Sequence, residues 1–369
     1  MKAKFYLIAA AACAALAACS KNEVAPVDVD QEITFQAVVN KASTKATEII
    51  SSTTYPTNIP FGSYAYFYPS SFGGSDTKLY INNAEVKNNS GATSGAVWTT
   101  DPAYYWPKNG KLTFYSYSPY EVLNTEVSCS YKNGLKITNH NVDANQTVDV
   151  MVADRIDNQT SNGSNAGYTG VPTVFRHKLA QVVNFRIKTS EDYSTGSIES
   201  PQIGDKFFFL NEIQINKIAY KGSFKSGENP SESNKGSWTK GVGTKDYTWY
   251  TSSSTTEKEF SSDFVDSPKN SSLNGYLLVL PQEMTAMSAT QTAKDVEHIV
   301  LKYTIRTFWG TGASEYSDEA VVQTVDLKTI TDSWVINKKY TYDITVSLDK
   351  IYWAPSVINW EPETDVINF

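Results

Sequence analysis

Apolar and polar side chains alternate from residue 33 onward: Ile33, Phe35, Ala37 and Val39 share one face, and Thr34 and Gln36 the other. A period of two marks a strand with one buried side. Similar patterning predicts strands over 61–68, 111–117, 147–153, 174–188, 207–220, 276–280, 297–307, 319–327 and 338–348. In the last of these, Tyr340, Tyr342, Ile344, Val346 and Leu348 are set against Thr341, Asp343, Thr345 and Ser347. Asn109-Gly110, after Tyr104-Tyr105-Trp106-Pro107, and Asn133-Gly134 are hairpin signals. Residues 40–54, rich in Lys, Ser and Thr, read as a loop, and only a turn or two of helix is expected, near 285–292. Many short strands with polar turns predict an all-β chain of stacked antiparallel sheets, as a sandwich or an open barrel. The best linker is the Asn/Ser/Gly-rich run over 157–170. The expected division is therefore an N-terminal β-sandwich over 32–170 and a C-terminal one over 171–369.

Composition agrees with sheet. Aromatic residues make up 13% of the chain, with 23 tyrosines and 8 tryptophans, types that suit a pleated, half-buried surface. The formal charge is −7, and without Lys2 and Lys4 it becomes −7 − 2 = −9. An acidic chain without a basic block is a poor match to nucleic acid or anionic lipid.

The first residues carry a signal of their own. Lys2 and Lys4 precede an apolar run over 5–18 that is too short and too alanine-rich to span a bilayer. It ends in Leu16-Ala17-Ala18-Cys19, the pattern of a lipobox, so residues 1–18 are expected to be a signal and Cys19 the lipidated residue. Acyl chains contribute roughly 0.8 kcal/mol per buried methylene, enough for two or three to anchor the protein to the outer membrane. Ser20-Lys21-Asn22-Glu23 resembles a lysine-plus-acid surface-export tag, and residues 19–31 read as a polar tether. Cys13 would leave with the signal, so Cys129 is the only cysteine after Cys19 and no intrachain disulfide is expected.

Catalytic chemistry finds little support. His140, His177 and His298 lack the spacing of a zinc site, and no metal or cofactor is expected. No nucleophile elbow or phosphate-binding glycine loop occurs. Asp101, Asp149, Asp154 and Asp326 are carboxylates that could meet in space, but nothing in the sequence pairs them. The tryptophans Trp98, Trp106, Trp238, Trp249, Trp309, Trp334, Trp353 and Trp360 could form a sugar-stacking platform or serve as packing. The expectation is a non-enzymatic protein, with a surface glycan-binding lipoprotein of a polysaccharide-uptake system as the alternative.

Several segments in order carry a family likeness. They are Tyr104-Tyr105-Trp106-Pro107, Leu112-Thr-Phe-Tyr-Ser-Tyr-Ser-Pro119, Val150-Met-Val-Ala-Asp154, Phe175-Arg-His-Lys-Leu-Ala-Gln-Val182, Leu278-Val-Leu-Pro-Gln282 and Trp334-Val-Ile-Asn-Lys-Lys-Tyr-Thr-Tyr342. With the lipobox, this order resembles the fimbrillin-like proteins of Bacteroidales. The resemblance implies two β-sandwich domains of transthyretin-like architecture and a role as subunit or accessory protein of a cell-surface pilus serving adhesion. It further implies removal of the first strand by a trypsin-like protease and filling of the groove by the terminal strand of another pilus subunit. The family is usually cut at arginine, whereas this chain has none before Arg155; Lys41 and Lys45 are the candidate processing sites. The tail over 351–369 carries Ile351, Trp353, Val357, Ile358, Trp360, Val366, Ile367 and Phe369, a donor strand or a final edge strand of its own domain.

Overall fold

The computed structural model describes residues 31–39, 55–91, 97–161, 170–227, 236–253, 257–271, 273 and 275–360. In chain order the strands are β1 (Phe35–Val39), β2 (Phe61–Tyr68), β3 (Lys78–Asn88), β4 (Trp98–Thr100), β5 (Lys111–Ser118), β6 (Val127–Ser130), β7 (Gly134–Asn141) and β8 (Met151–Ala153). Next come β9 (Ile156–Gln159), β10 (Val171–His177), β11 (Ala180–Thr189), β12 (Lys206–Ala219), β13 (Lys221–Lys225), β14 (Ser237–Lys240), β15 (Thr244–Thr251) and β16 (Lys258–Phe260). The remainder are β17 (Val265–Asp266), β18 (Leu277–Val279), β19 (Gln282–Glu283), β20 (His298–Phe308), β21 (Tyr316–Asp326), β22 (Ser333–Trp334), β23 (Lys338–Val346) and β24 (Ile351–Asn359). Among the described residues the only α-helix is one turn, α1 (Tyr120–Leu123). The chain is thus all-β with mostly antiparallel sheets, as its patterning predicts.

The first sheet runs β2-β3-β4-β1-β10-β8-β5-β9, and β2 also pairs β5, so the sheet closes on itself. Ile33, Phe35, Ala37 and Val39 point inward onto Phe61, Phe114, Trp98 and Phe175. β2 and β5 are buried on both faces, because Tyr64, Tyr66, Tyr115 and Tyr117 turn outward into a second core with Leu135, Ile137, Phe224, Leu278 and Leu280. That double burial explains why 61–68 and 111–117 are nearly continuous aromatic and apolar runs. Gly62 lies under the Tyr117 ring, 2.2 Å from where a Cβ would stand, so any side chain there would displace the ring.

In the second half, β17-β11-β23-β24, with β18 also on β11, faces β15-β12-β20-β21, with β16 also on β12. Val182, Phe185, Ile187, Ile213, Ile215, Trp249, Leu301, Tyr342 and Ile344 fill the space between the two sheets. A four-stranded sheet, β14-β13-β7-β6, joins strands from both halves. Among the described residues two ladders are parallel, β1–β10 and β11–β23.

β10 pairs with β1 and β8 in the first sheet. The Asn133-Gly134 signal does join β6 to β7 as a hairpin. The Asn109-Gly110 turn does not close one, since Tyr105 bridges Glu32 instead. No helix forms over 285–292: Met284 is buried just before it, but Met287 is exposed, which leaves no apolar stripe for a helix to bury. A 3-10 turn follows at Ala293–Asp295, closed by reciprocal hydrogen bonds between Thr292 and Asp295.

Candidate functional site

β1 is a stave in the closed first sheet, and its placement defines a slot. Its backbone pairs in parallel with Val171–Phe175 of β10 along all five residues, and with β4 at Phe35–Trp98. Ile33 N–H donates to Tyr104 O at 2.8 Å, and Val171 N–H donates to Thr34 O at 2.8 Å. The Phe35 ring meets Phe61 and Phe114 edge-on, both with centroids at 5.7 Å. Tyr55 stacks on Phe175 at 4.8 Å behind them. Burying an apolar side chain of this size stabilises by roughly 1.5–3 kcal/mol. A chain lacking β1 would therefore carry an apolar slot and an unpaired β10 edge, the features that capture an extended strand.

The described part of the tail, β24, is an edge strand of its own chain, paired antiparallel with β23 from Lys338–Asn359 to Val346–Ile351. Ile351 and Trp353 rest against the second-half core, whereas Tyr352, Val357 and Ile358 are 51%, 45% and 59% exposed. Trp360 ends this segment by crossing back to the first sheet. Its ring lies parallel to His177 at 4.3 Å, Lys339 Nζ is 5.8 Å from the ring centre, and the Trp360 backbone N–H donates to Asn337 O. His177 Nδ1 is 2.6 Å from a carboxylate oxygen of Asp149.

Cys19, Lys41, Lys45, Val366, Ile367 and Phe369 lie outside the described residues. The histidines and acids that are described serve packing and pairing. His140 is wholly buried with Nδ1 2.7 Å from Glu126, and His298 Nδ1 donates to Val296 O. Asp154 accepts from Nε and Nη2 of Arg176, and Asp326 accepts from Lys328 N–H to cap a 3-10 turn. Asp101 is exposed. Among the described residues no group of three His, Cys, Asp or Glu side chains is placed to hold a metal ion. Burial pushes the Cys129 thiol up to about 12.

The tryptophans do not share a platform. Trp98, Trp249 and Trp334 are buried; Trp249 Nε1 donates to Ser267 and Trp334 Nε1 to Tyr342. Trp106 packs on Phe114, Trp238 Nε1 donates to Lys178 O, and Trp309 is exposed by itself at one end of β20. A polar cleft of about 340 Å³ is lined by Lys217, Lys240, Thr285 and Glu297. Its buried carboxylate is already occupied, by Thr285 N–H, the Thr285 hydroxyl and Lys240.

Comparison with known proteins follows this geometry. The sequence model of the fimbrillin-like family matches residues 44–360. The fimbrium subunit Fim1C of Phocaeicola vulgatus is 30% identical over 195 residues, 49% of this chain and 50% of that protein. The chain thus spans about half the length of the curated relative it matches. A crystal structure of a fimbrial protein from Bacteroides vulgatus ATCC 8482 superposes with a TM-score of 0.57 at 16% identity, over 89% of this chain and all of that one. At that identity the likeness is one of fold.

Proposed function

The chain belongs to the fimbrillin-like family, and from this premise we propose that it is a structural or accessory protein of a cell-surface pilus, assembled by strand exchange and serving adhesion. The observation that carries the proposal is the position of β1, a stave whose inward side chains fill an aromatic slot in a closed sheet. Cleavage after Lys41 or Lys45 by a trypsin-like protease would free β1 from the rest of the chain. Loss of β1 would leave the edge of β10 and the slot beside Phe61, Phe114 and Phe175 open to a strand from another subunit. The donor would be the C-terminal tail, with Ile351, Trp353, Val357, Ile358, Trp360, Ile367 and Phe369 as its apolar side chains. Its exposed outer face and edge position support this role, since an edge strand leaves its sheet without breaking a second ladder. Before cleavage, a lipid on Cys19 would hold the precursor at the outer membrane. The chain divides into two β units, the first of which takes in β10.

Limited trypsin treatment of the purified chain tests the exchange. The first cuts are expected at Lys41 or Lys45, followed by a ladder of oligomers. A chain ending before Ile351 should be trimmed in the same way and stay monomeric. Oligomers formed equally well by the truncated chain would remove the tail from the donor role. Trimmed protein that remains monomeric at high concentration would remove the chain from the polymerising class.

A further inference from the structure

We infer, on the strand-exchange reading above, that the stack of Trp360 on His177 is a clasp. It keeps the donor tail on its own chain after the slot has been opened, so that release of the tail, and not cleavage, limits assembly. Burial along the tail points to it. Residues 354–358 are all exposed, and burial returns only at Asn359 and Trp360. A strand held by its ladder alone would be loosest at its end. Here the end is tied. Trp360 packs against the second core, with its ring at 8° to that of His177. Its backbone N–H donates to Asn337 O at 2.9 Å, and Asn337 N–H donates to Leu179 O at 2.9 Å. The tail is thus bound through Asn337 to the link between β10 and β11. Asn337 has a left-handed φ of 64°, which asparagine adopts more readily than most residues. Lys338 Nζ donates to Asn359 Oδ1, and Lys339 Nζ places a cation near the indole face.

The anchor of this clasp does not depend on β1. The β1 ladder covers Val171–Phe175 of β10 and stops two residues short of His177. His177 is held from the opposite edge, where it pairs with Met151 of β8 and Arg176 pairs with Val152. Asp149 lies against its Nδ1, Lys178 N–H donates to Val150 O at 2.8 Å, and Asp154 fixes Arg176 beside it. Removing β1 takes none of these contacts away. A cleaved chain therefore carries an open slot and a docked tail together. Another subunit's slot competes for a strand that has still to leave His177 and nine ladder positions on β23. A stacked ring pair with a nearby ammonium changes an opening equilibrium about tenfold.

Hydrogen exchange and oligomer growth, followed on the purified chain before and after trypsin trimming, test the clasp. At a concentration too low for oligomers, amides 351–359 should exchange equally fast in the intact and the trimmed chain. Trp360→Ala or His177→Ala should speed that exchange about tenfold in both forms, and the double variant should add little more. Trp360→Phe, which keeps a flat ring, should stay close to the unaltered chain. At high concentration trimmed His177→Ala, whose donor strand is unaltered, should form oligomers about tenfold faster, and the untrimmed variant none. Thr341 and Ser356 face each other in the β23–β24 ladder, within disulfide reach. Thr341→Cys with Ser356→Cys in a Cys129→Ser background should abolish growth when oxidised and restore it when reduced. Trimming that by itself speeds exchange over 351–359 overturns the inference, as does His177→Ala with unchanged exchange or unchanged growth. A tail loosened by His177→Ala in trimmed chains that all stay monomeric refutes strand exchange itself, and leaves the stack as a tie within one chain.

Discussion

Arg176 is almost wholly buried and lays its guanidinium on both carboxylate oxygens of Asp154, at 2.8 Å for the closer contacts. Removing one partner of such a pair leaves a charge with poorer solvation than it had in the unfolded chain. Asp154 is partly exposed, so Arg176→Ala is expected to cost about 2 kcal/mol rather than the full penalty of a buried ion. Arg176→Lys should recover little of it, because an ammonium cannot engage both oxygens in the plane. Urea midpoints measure both, and unchanged midpoints would show that the pair does not stabilise the sheet. Glu297 allows a test in acid. Burial alone would raise its carboxyl, but hydrogen bonds from backbone N–H groups and the Thr285 hydroxyl, together with Lys240, outweigh it and hold the group below the usual carboxylate range. A depressed folded value gives stability that is present above the unfolded value, about 4.3, and is lost as the pH falls through the folded one. The stability difference between the chain and Glu297→Gln should therefore be constant near neutrality and shrink below about pH 4. A gap that persists at pH 3 would contradict the assignment.

At the scale of elements, β1 and β24 differ in what holds them. Phe35 is buried among aromatic rings, and Phe35→Ala should destabilise the first sheet by about 3–5 kcal/mol. A loss below 1 kcal/mol in chemical unfolding would mean that the slot collapses around the missing ring. β24 has few buried side chains, and its last contact is Trp360 on His177. Trp360→Ala should speed amide hydrogen exchange across 351–359 while β10 and β20 keep their protection. Unchanged exchange in the tail would show that the β23 ladder alone retains it. The strands with clean alternation, such as β1, β11, β20 and β23, were legible from the period of their side chains. β3 was not, since its burial follows the curve of the closed sheet rather than a strict alternation. The short strands β13, β14, β16 and β17 are hidden because each holds only one or two apolar positions among Gly, Ser, Lys and acids. Partner choice was beyond local pattern altogether. Nothing in the residues of β1 announces that it lies parallel to β10, or that Trp360 will rest on His177, because both depend on where distant segments meet. The exposed run of β21 was read from sequence as an ordinary alternating strand; only the sheet order reveals it as an edge.

For the whole molecule, closure of the first sheet matters more than the number of its strands. A closed sheet has no edge to offer, so the intact chain is protected from pairing through β1 and β10. On the proposed strand exchange, cutting out one stave would convert that protected sheet into an acceptor, while the second half keeps its own two sheets and core. On the proposed function, this conversion happens on the cell and builds a filament. The most direct measurement is the N-terminus of the chain recovered from filaments sheared from the cell surface, read by mass spectrometry of the terminal peptide. A start at Ala42 or Ala46, with residues 31–39 absent from the filament, is the expected result. A chain found in filaments with residues 31–39 still in place, or found only in the membrane fraction beginning at Cys19, would contradict assembly by strand exchange.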